Sequence, residues 1–283
     1  MERISFSIVV VCLNPGEKLG RTVRSVLAQD YGDYEILVKD GGSSDGSAKG
    51  LPADSRIRLV SCADKGIYDA MNQALPLLTG QYVLFLNCGD TLSSVHVLSR
   101  MADAIGSENR KNGGRHSLAA PCRIFYGDQY NLKQKSAVYS APKVDDLTCY
   151  RNVPRHQVCF YDARLFGERG YLTEYRVRAD YEHFLYCIYE RGAQAVYVRG
   201  AVADYEGGGF SETKENRKLS SKEHRKIALH YLGRRKVLLF EALMLLTLAP
   251  VRTRLAESPR FAGYYNRLKA ALYGAGKKGR KDR

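Results

Sequence analysis

The stretch Ile4-Ser5-Phe6-Ser7-Ile8-Val9-Val10-Val11-Cys12-Leu13, stopped by Asn14-Pro15-Gly16, decides the fold. A nearly continuous apolar, β-branched run reads as a strand buried on both faces, as strands of a parallel sheet are. Leu19, Val23, Val26 and Leu27 follow at helical spacing. Beyond them the pattern predicts strands over Tyr34–Lys39 and Arg56–Ser61, a helix around Ile67–Leu78 and a strand over Tyr82–Leu86. This alternation indicates an α/β doubly wound, mostly parallel sheet whose ligands sit beyond the carboxyl ends of its strands. The polar clusters fall at those ends. Further along, Ser107–Arg115 reads as a polar surface loop, Ile124–Asn131 and Ala137–Tyr139 as a strand pair, and Ala179–Arg191 as a helix.

The 283 residues are 45% hydrophobic and 26% charged, the profile of a folded globular chain long enough for one large domain and an appendage. No run reaches the roughly 18–20 apolar residues of a membrane-spanning helix. The start runs straight into the first strand without a signal peptide's apolar region, so a cytoplasmic location is expected. The seven cysteines contain no C-x-x-C pair and read as reduced thiols rather than a disulfide framework or zinc site.

The net charge of +14 is uneven. Residues 214–283 hold 19 Lys+Arg against 5 Asp+Glu, whereas residues 1–213 hold 25 of each. A neutral body argues against a nucleic-acid surface on the main domain. Within the tail, Lys214–Leu232 reads as a charged helix. Val237–Val251 is mostly apolar and flanked by Arg234-Arg235-Lys236 and by Arg252 and Arg254. As a helix it would measure about 22 Å, short of the ~30 Å hydrocarbon core. The pattern fits a helix lying in an anionic membrane interface, or one packed on the domain with a solvated basic end.

Three clusters carry chemistry. Asp40-Gly41-Gly42-Ser43-Ser44-Asp45-Gly46-Ser47 places an acid at a strand end, followed by residues that let a ligand approach the backbone; it also reads as an ordinary tight turn. Asp64-Lys65-Gly66-Ile67-Tyr68-Asp69-Ala70-Met71-Asn72 gathers polar residues where a helix begins, with Asp64 as the expected N-cap and Lys65 beside a helix terminus suited to a diphosphate. Phe85-Leu86-Asn87-Cys88-Gly89-Asp90 releases a carboxylate from a buried strand. Asp90 could ligate Mg²⁺ or Mn²⁺, and equally reads as a turn residue.

Taken in order with Tyr126-Gly127-Asp128, His156-Gln157, Ala179-Asp180-Tyr181-Glu182 and Gly207-Gly208-Gly209-Phe210-Ser211, these clusters resemble the family 2 glycosyltransferases, and among them the bacterial colanic-acid, capsule and O-antigen type. The resemblance covers roughly residues 4–213. It implies a GT-A fold with a nucleotide-sugar half over about 1–100 and an acceptor half over about 101–213, followed by the basic helical tail at 214–283. It implies donor contacts at Asp40, Asp64, Gly66, Tyr68, Asp69 and Asn87, with Lys65 added on charge alone. Asp90 matches the metal-ligating acid, although Asn87 and Gly89 stand where many relatives have aspartates. Asp180 matches the catalytic base. Asp128, His156, Gln157 and Ser211 are implied as acceptor or diphosphate contacts, the last on a lid-like glycine segment. Glu182, next to Asp180 on a helix, reads as supportive.

The expected activity is inverting transfer from a nucleotide-sugar, UDP-linked by preference, to a lipid-linked saccharide at the inner membrane face, assisted by a divalent metal. The competing expectation is a catalytically silent scaffold of the same fold, recruited to membrane or polyanion by its tail.

Overall fold

The computed structural model describes residues 3–111, 120–151, 153–207, 213–247 and 264. The first unit is the predicted alternation: β1 (Phe6–Cys12), α1 (Glu17–Leu27), β2 (Tyr34–Asp40), β3 (Ile57–Ser61), α2 (Ile67–Ala74) and β4 (Tyr82–Phe85). Every residue of β1 is buried, because β2 and β4 flank it in parallel and helices cover its faces. The amphipathic α1 turns Leu19, Thr22, Val23 and Val26 inward. The helix expected over Ile67–Leu78 is α2 followed by a short 3₁₀ turn, Leu75–Leu77, with Pro76 at its start; proline lacks the N–H that an α-helical turn needs.

The second unit holds β5 (Thr91–Leu92), α3 (Val97–Lys111), β6 (Arg123–Asn131), β7 (Ser136–Val138), α4 (Asp146–Arg151), β8 (Cys159–Asp162), α5 (Ala179–Tyr189) and β9 (Gln194–Tyr205). The described strands form one nine-stranded sheet in the order β3-β2-β1-β4-β8-β6-β9-β5, with β7 on β6. It is parallel through β3-β2-β1-β4, and β8 then enters antiparallel between β4 and β6. The expected β6–β7 pair is present and antiparallel. The expected loop at Ser107–Arg115 is corrected in its first part: residues 107–111 form the last turn of α3, with Asn109 buried and Glu108 paired to Lys111. Residues 112–115 lie outside the described set.

The last element, α6 (Lys214–Leu246), is broken at Gly233, whose φ of 76° takes it out of the helix. That conformation costs glycine little and other residues more. The chain folds back there: Arg225 Nε donates to Glu241 Oε1 at 3.0 Å, although sixteen residues of unbroken helix would separate them by about 24 Å. Before the break, Ile227, Ala228 and Leu232 are buried in the core. After it, Val237 is buried and Phe240 packs against Tyr150. Leu238, Leu239, Leu245 and Leu246 are exposed. No helix among the described residues is long and apolar enough to cross a membrane.

Candidate active site

The site is built at the carboxyl ends of β1, β2 and β4. Asp40, last residue of β2 and only 2% exposed, accepts from Ser43 N and Oγ and from Ser61 Oγ. Burial works to raise its carboxyl, but the two hydroxyls and backbone amides hold it below the ordinary value. Its oxygens thus organise the 40–47 loop. That loop is stitched to the β1–α1 turn by Asn14 N donating to Ser43 Oγ and Gly16 N to Asp45 Oδ2.

Asp64 is not the N-cap of α2; Gly66 holds that position. Asp64 Oδ1 accepts from Gly66 N at 3.0 Å and Oδ2 lies 3.6 Å from Lys39 Nζ. Lys39, fully buried, also donates to the Asp40 and Cys62 carbonyls. It was missed from sequence, where its signal was a charge inside an apolar strand. Lys65 is exposed, and its backbone N–H donates to Asp69 Oδ2, which Gln73 also reaches.

Tyr68, on the first turn of α2, points the other way. Its hydroxyl lies 2.9 Å from Asp180 Oδ1 and 3.0 Å from the Val177 carbonyl. Asp180, in the first turn of α5, also accepts from Tyr181 N and meets His156 Nδ1 at 2.8 Å. Burial alone would raise its carboxyl; the bond and charge of His156, the charge of Arg178 and the Tyr68 hydroxyl outweigh that and lower it to about 2. Asp180 is therefore ionised at neutral pH.

The other face of His156 closes the site. Its Nε2 is 3.2 Å from Asn87 Oδ1, and the next side chain, Gln157, donates to Asp90 Oδ2 at 3.3 Å. Asp90 is 3% exposed, and burial raises its carboxyl against the bonds from Glu206 N and Gln157. Thr22 of α1 clamps the loop, accepting from Gly89 N and donating to the Asp90 carbonyl. Glu206, another residue the sequence reading missed, lies over Gly89, where a Cβ would come within 2.6 Å of Glu206 Oε2. It pairs with Lys18 at 2.8 Å and Arg21 at 2.6 Å. Burial pushes the nearby Cys12 and Cys88 thiols up to about 12, which keeps them protonated.

One predicted site residue sits elsewhere. The Asp128 carboxylate accepts from Ser140 N and Tyr197 Oη, bracing β6 against its neighbours. Ser211 lies outside the described residues. Glu182 is supportive, as expected: buried, it takes a two-pronged bond from Arg169 and one from Tyr231 of α6.

Solved structures share this architecture at low identity. Staphylococcus aureus TarS residues 1–349, in complex with UDP-GlcNAc, superposes with a TM-score of 0.60 at 16% identity, over 81% of this chain and 72% of that one. The mannosyltransferase PcManGT from Pyrobaculum calidifontis, in complex with GDP-Man and Mn²⁺, gives 0.57 at 16% over 100% and 89%. The fold is therefore that of the GT-A glycosyltransferases. In sequence, residues 7–138 match the model of Glycosyl transferase family 2. The chain is 33% identical over 190 residues to the PGL/p-HBAD biosynthesis glycosyltransferase of Mycobacterium bovis (strain BCG / Pasteur 1173P2), covering 64% of this chain and 69% of that protein. The chain belongs to glycosyl transferase family 2.

Proposed function

We propose that this glycosyltransferase moves a sugar from a nucleotide-sugar, UDP-linked by preference, to a lipid-linked saccharide, inverting the anomeric centre. The observation that carries the reading is the His156–Gln157 turn: one residue holds Asp180, the next holds Asp90. The proposed base and the proposed diphosphate loop are thereby fixed to each other. Asp40, Asp64 and Asp69 frame the donor from the β2 and α2 loops, with Lys65 reaching solvent beside it. The acceptor oxygen attacks the anomeric carbon, the bond to the diphosphate breaks, and the acceptor proton passes to Asp180. One base suffices for direct inversion, whereas double displacement needs a second carboxylate as nucleophile.

The Asp90 carboxylate and the Asn87 amide oxygen are hard donors that would hold a divalent ion such as Mn²⁺ or Mg²⁺. Held there, such an ion would supply charge neutralisation for the departing diphosphate. The presence of Mn²⁺ in the Pyrobaculum neighbour supports this reading, as do the nucleotide-sugars of both neighbours for the donor class. The mycobacterial relative's name favours a PGL/p-HBAD-type pathway over colanic acid, capsule or O-antigen.

For location we propose the inner membrane face, held peripherally by the second half of α6. Leu238, Leu239, Leu245 and Leu246 share one exposed helical face, and the basic Arg234, Arg235 and Lys236 precede it, a pairing suited to anionic lipid.

Calorimetric titration of UDP, GDP and dTDP, with and without Mn²⁺, tests the donor assignment on the wild type and Asp90→Ala. Metal-dependent binding of one nucleotide, lost in the variant, is the expected result. Absence of binding by all three would replace the transferase mechanism with the scaffold reading.

A further inference from the structure

Glu223, midway along the first half of α6, is a charged side chain that the mechanism above does not use. It is 7% exposed. Its Oε1 accepts from Arg176 N at 2.9 Å, and its Oε2 accepts from Val177 N at 3.0 Å and Arg178 N at 2.9 Å. Three consecutive amides thus converge on one carboxylate. Ser220, one turn earlier, accepts from Arg178 Nε at 2.8 Å. Arg178 is the N-cap of α5, and its own side chain makes no capping hydrogen bond. The carboxylate therefore satisfies orphan donors at and before the terminus, and its charge suits a helix N-terminus. Hydrogen bonds to an ionised acceptor are about twice as strong as neutral ones.

The segment so fixed is the one that presents Asp180. Val177 offers its carbonyl to the Tyr68 hydroxyl that also reaches Asp180, and Asp180 lies two residues past Arg178. We infer that Glu223 is a positioning residue for the reaction: it sets the loop Arg176–Arg178 so that the Asp180 carboxylate meets His156 and Tyr68 in one geometry. A helix outside the sheet, in the segment whose basic composition marks it as a tail, thereby completes the active site. The inference rests on reading Asp180 as the base.

The test compares Glu223→Ala and Glu223→Gln with Ile227→Ala, which removes a fully buried side chain one turn away on the same helix and so reproduces the loss of packing alone. Two readouts are taken on the full chain. The first is the low-field NMR signal of the His156 Nδ1 proton shared with Asp180, assigned by its loss in Asp180→Asn. The second is hydrolysis of a panel of UDP- and GDP-sugars, read as kcat and KM. The expected result is that Glu223→Ala abolishes the low-field signal and lowers kcat on the order of tenfold to a hundredfold, the scale of a small misplacement, with KM unchanged. Glu223→Gln, which keeps one acceptor oxygen, recovers part of both. Ile227→Ala keeps the signal and kcat despite a lower Tm. Equal behaviour of Glu223→Ala and Ile227→Ala in the NMR readout overturns the inference. Full hydrolysis by Asp180→Asn overturns the base assignment instead, so the two failures are distinguishable.

Discussion

The two halves of α6 differ in sequence and meet different fates. Before Gly233 the helix turns Ser220, Glu223, Ile227, Ala228 and Leu232 inward, and through Glu223 and Tyr231 it binds the segment carrying Asp180 and Glu182. After Gly233 only part of the helix is covered: Val237 is buried and Phe240 half-buried, while four leucines face outward. Charge is spread along the first half, whereas in the second it is confined to Arg234, Arg235 and Lys236, with no Lys or Arg from Val237 to Leu246. Yet the more apolar second half is the less covered: it meets α4 through Lys236 on Asp146 and Phe240 on Tyr150, and its leucines stay outside. A basic composition reports the solvent side of a helix and says little about its other side.

The strongest way to break this comparison is to cut the helix on either side of its bend. A chain ending at residue 213 loses the burial of Ile227, Leu232 and Val237, about 1.5–3 kcal/mol per large side chain, and leaves Arg169 and Glu182 without Tyr231. It should not give a cooperative melt in circular dichroism. A chain ending at Gly233 keeps Glu223, Ile227 and Leu232 and should melt cooperatively, with nucleotide affinity intact.

Single truncations sharpen the contrast. Ile227→Ala should cost about 2–5 kcal/mol in urea unfolding, whereas Leu246→Ala, 82% exposed before substitution, should stay within about 0.5 kcal/mol. A comparable cost at both positions would mean that the second half is buried by a partner in solution. Sedimentation with anionic vesicles comes next in size: Leu245→Asp with Leu246→Asp should weaken binding about tenfold, about 1.4 kcal/mol, leaving the melt unchanged. The smallest effect concerns pH. Asp180 is held low, at about 2 against 3.8, so the stability it contributes is full above about pH 4 and is lost as pH falls through about 2. The chain ending at Gly233 should keep this component of the acid transition and lose the one from Asp146, whose carboxyl Lys236 holds low; circular dichroism across the window reads both.

Much of the donor half was legible because its determinants are local. The β1–α1–β2 alternation is written in periodicity, and the carboxylate of Asp40 finds Ser43 within three residues. Contacts to the second half of the chain hid their logic in distance. Tyr68 meets Asp180 across 112 positions and His156 meets Asn87 across 69, so no window of sequence contains either pair. Resemblance to a family supplied Asp180 and His156 as separate residues; only the fold shows them bonded to each other. The same resemblance included Asp128, which the register of β6 and β9 directs to Tyr197. Lys39, Glu206 and Glu223 had no motif to announce them. Lys39 finds Cys62 and Asp64 just past the neighbouring strand, Glu206 finds Lys18 and Arg21 on α1, and Glu223 finds the amides of Arg176–Arg178. Lys65 illustrates the converse, a residue chosen for its charge whose structural role is a backbone bond to Asp69.

The fold-back at Gly233 fixes more than a pair of helices. Val237 is buried, Phe240 packs on Tyr150 and Lys236 pairs with Asp146, while Arg225 holds Glu241 from the first half of the helix, so the leucine strip follows a segment laid against the body. A domain on a slack leash keeps its height above a surface and loses its heading; a domain bolted at two points keeps both. Any flat layer that receives the strip would meet the segment carrying Asp180 at a restricted tilt. Reaching a substrate held in that layer then becomes a search over two coordinates, with rotation already settled by a glycine.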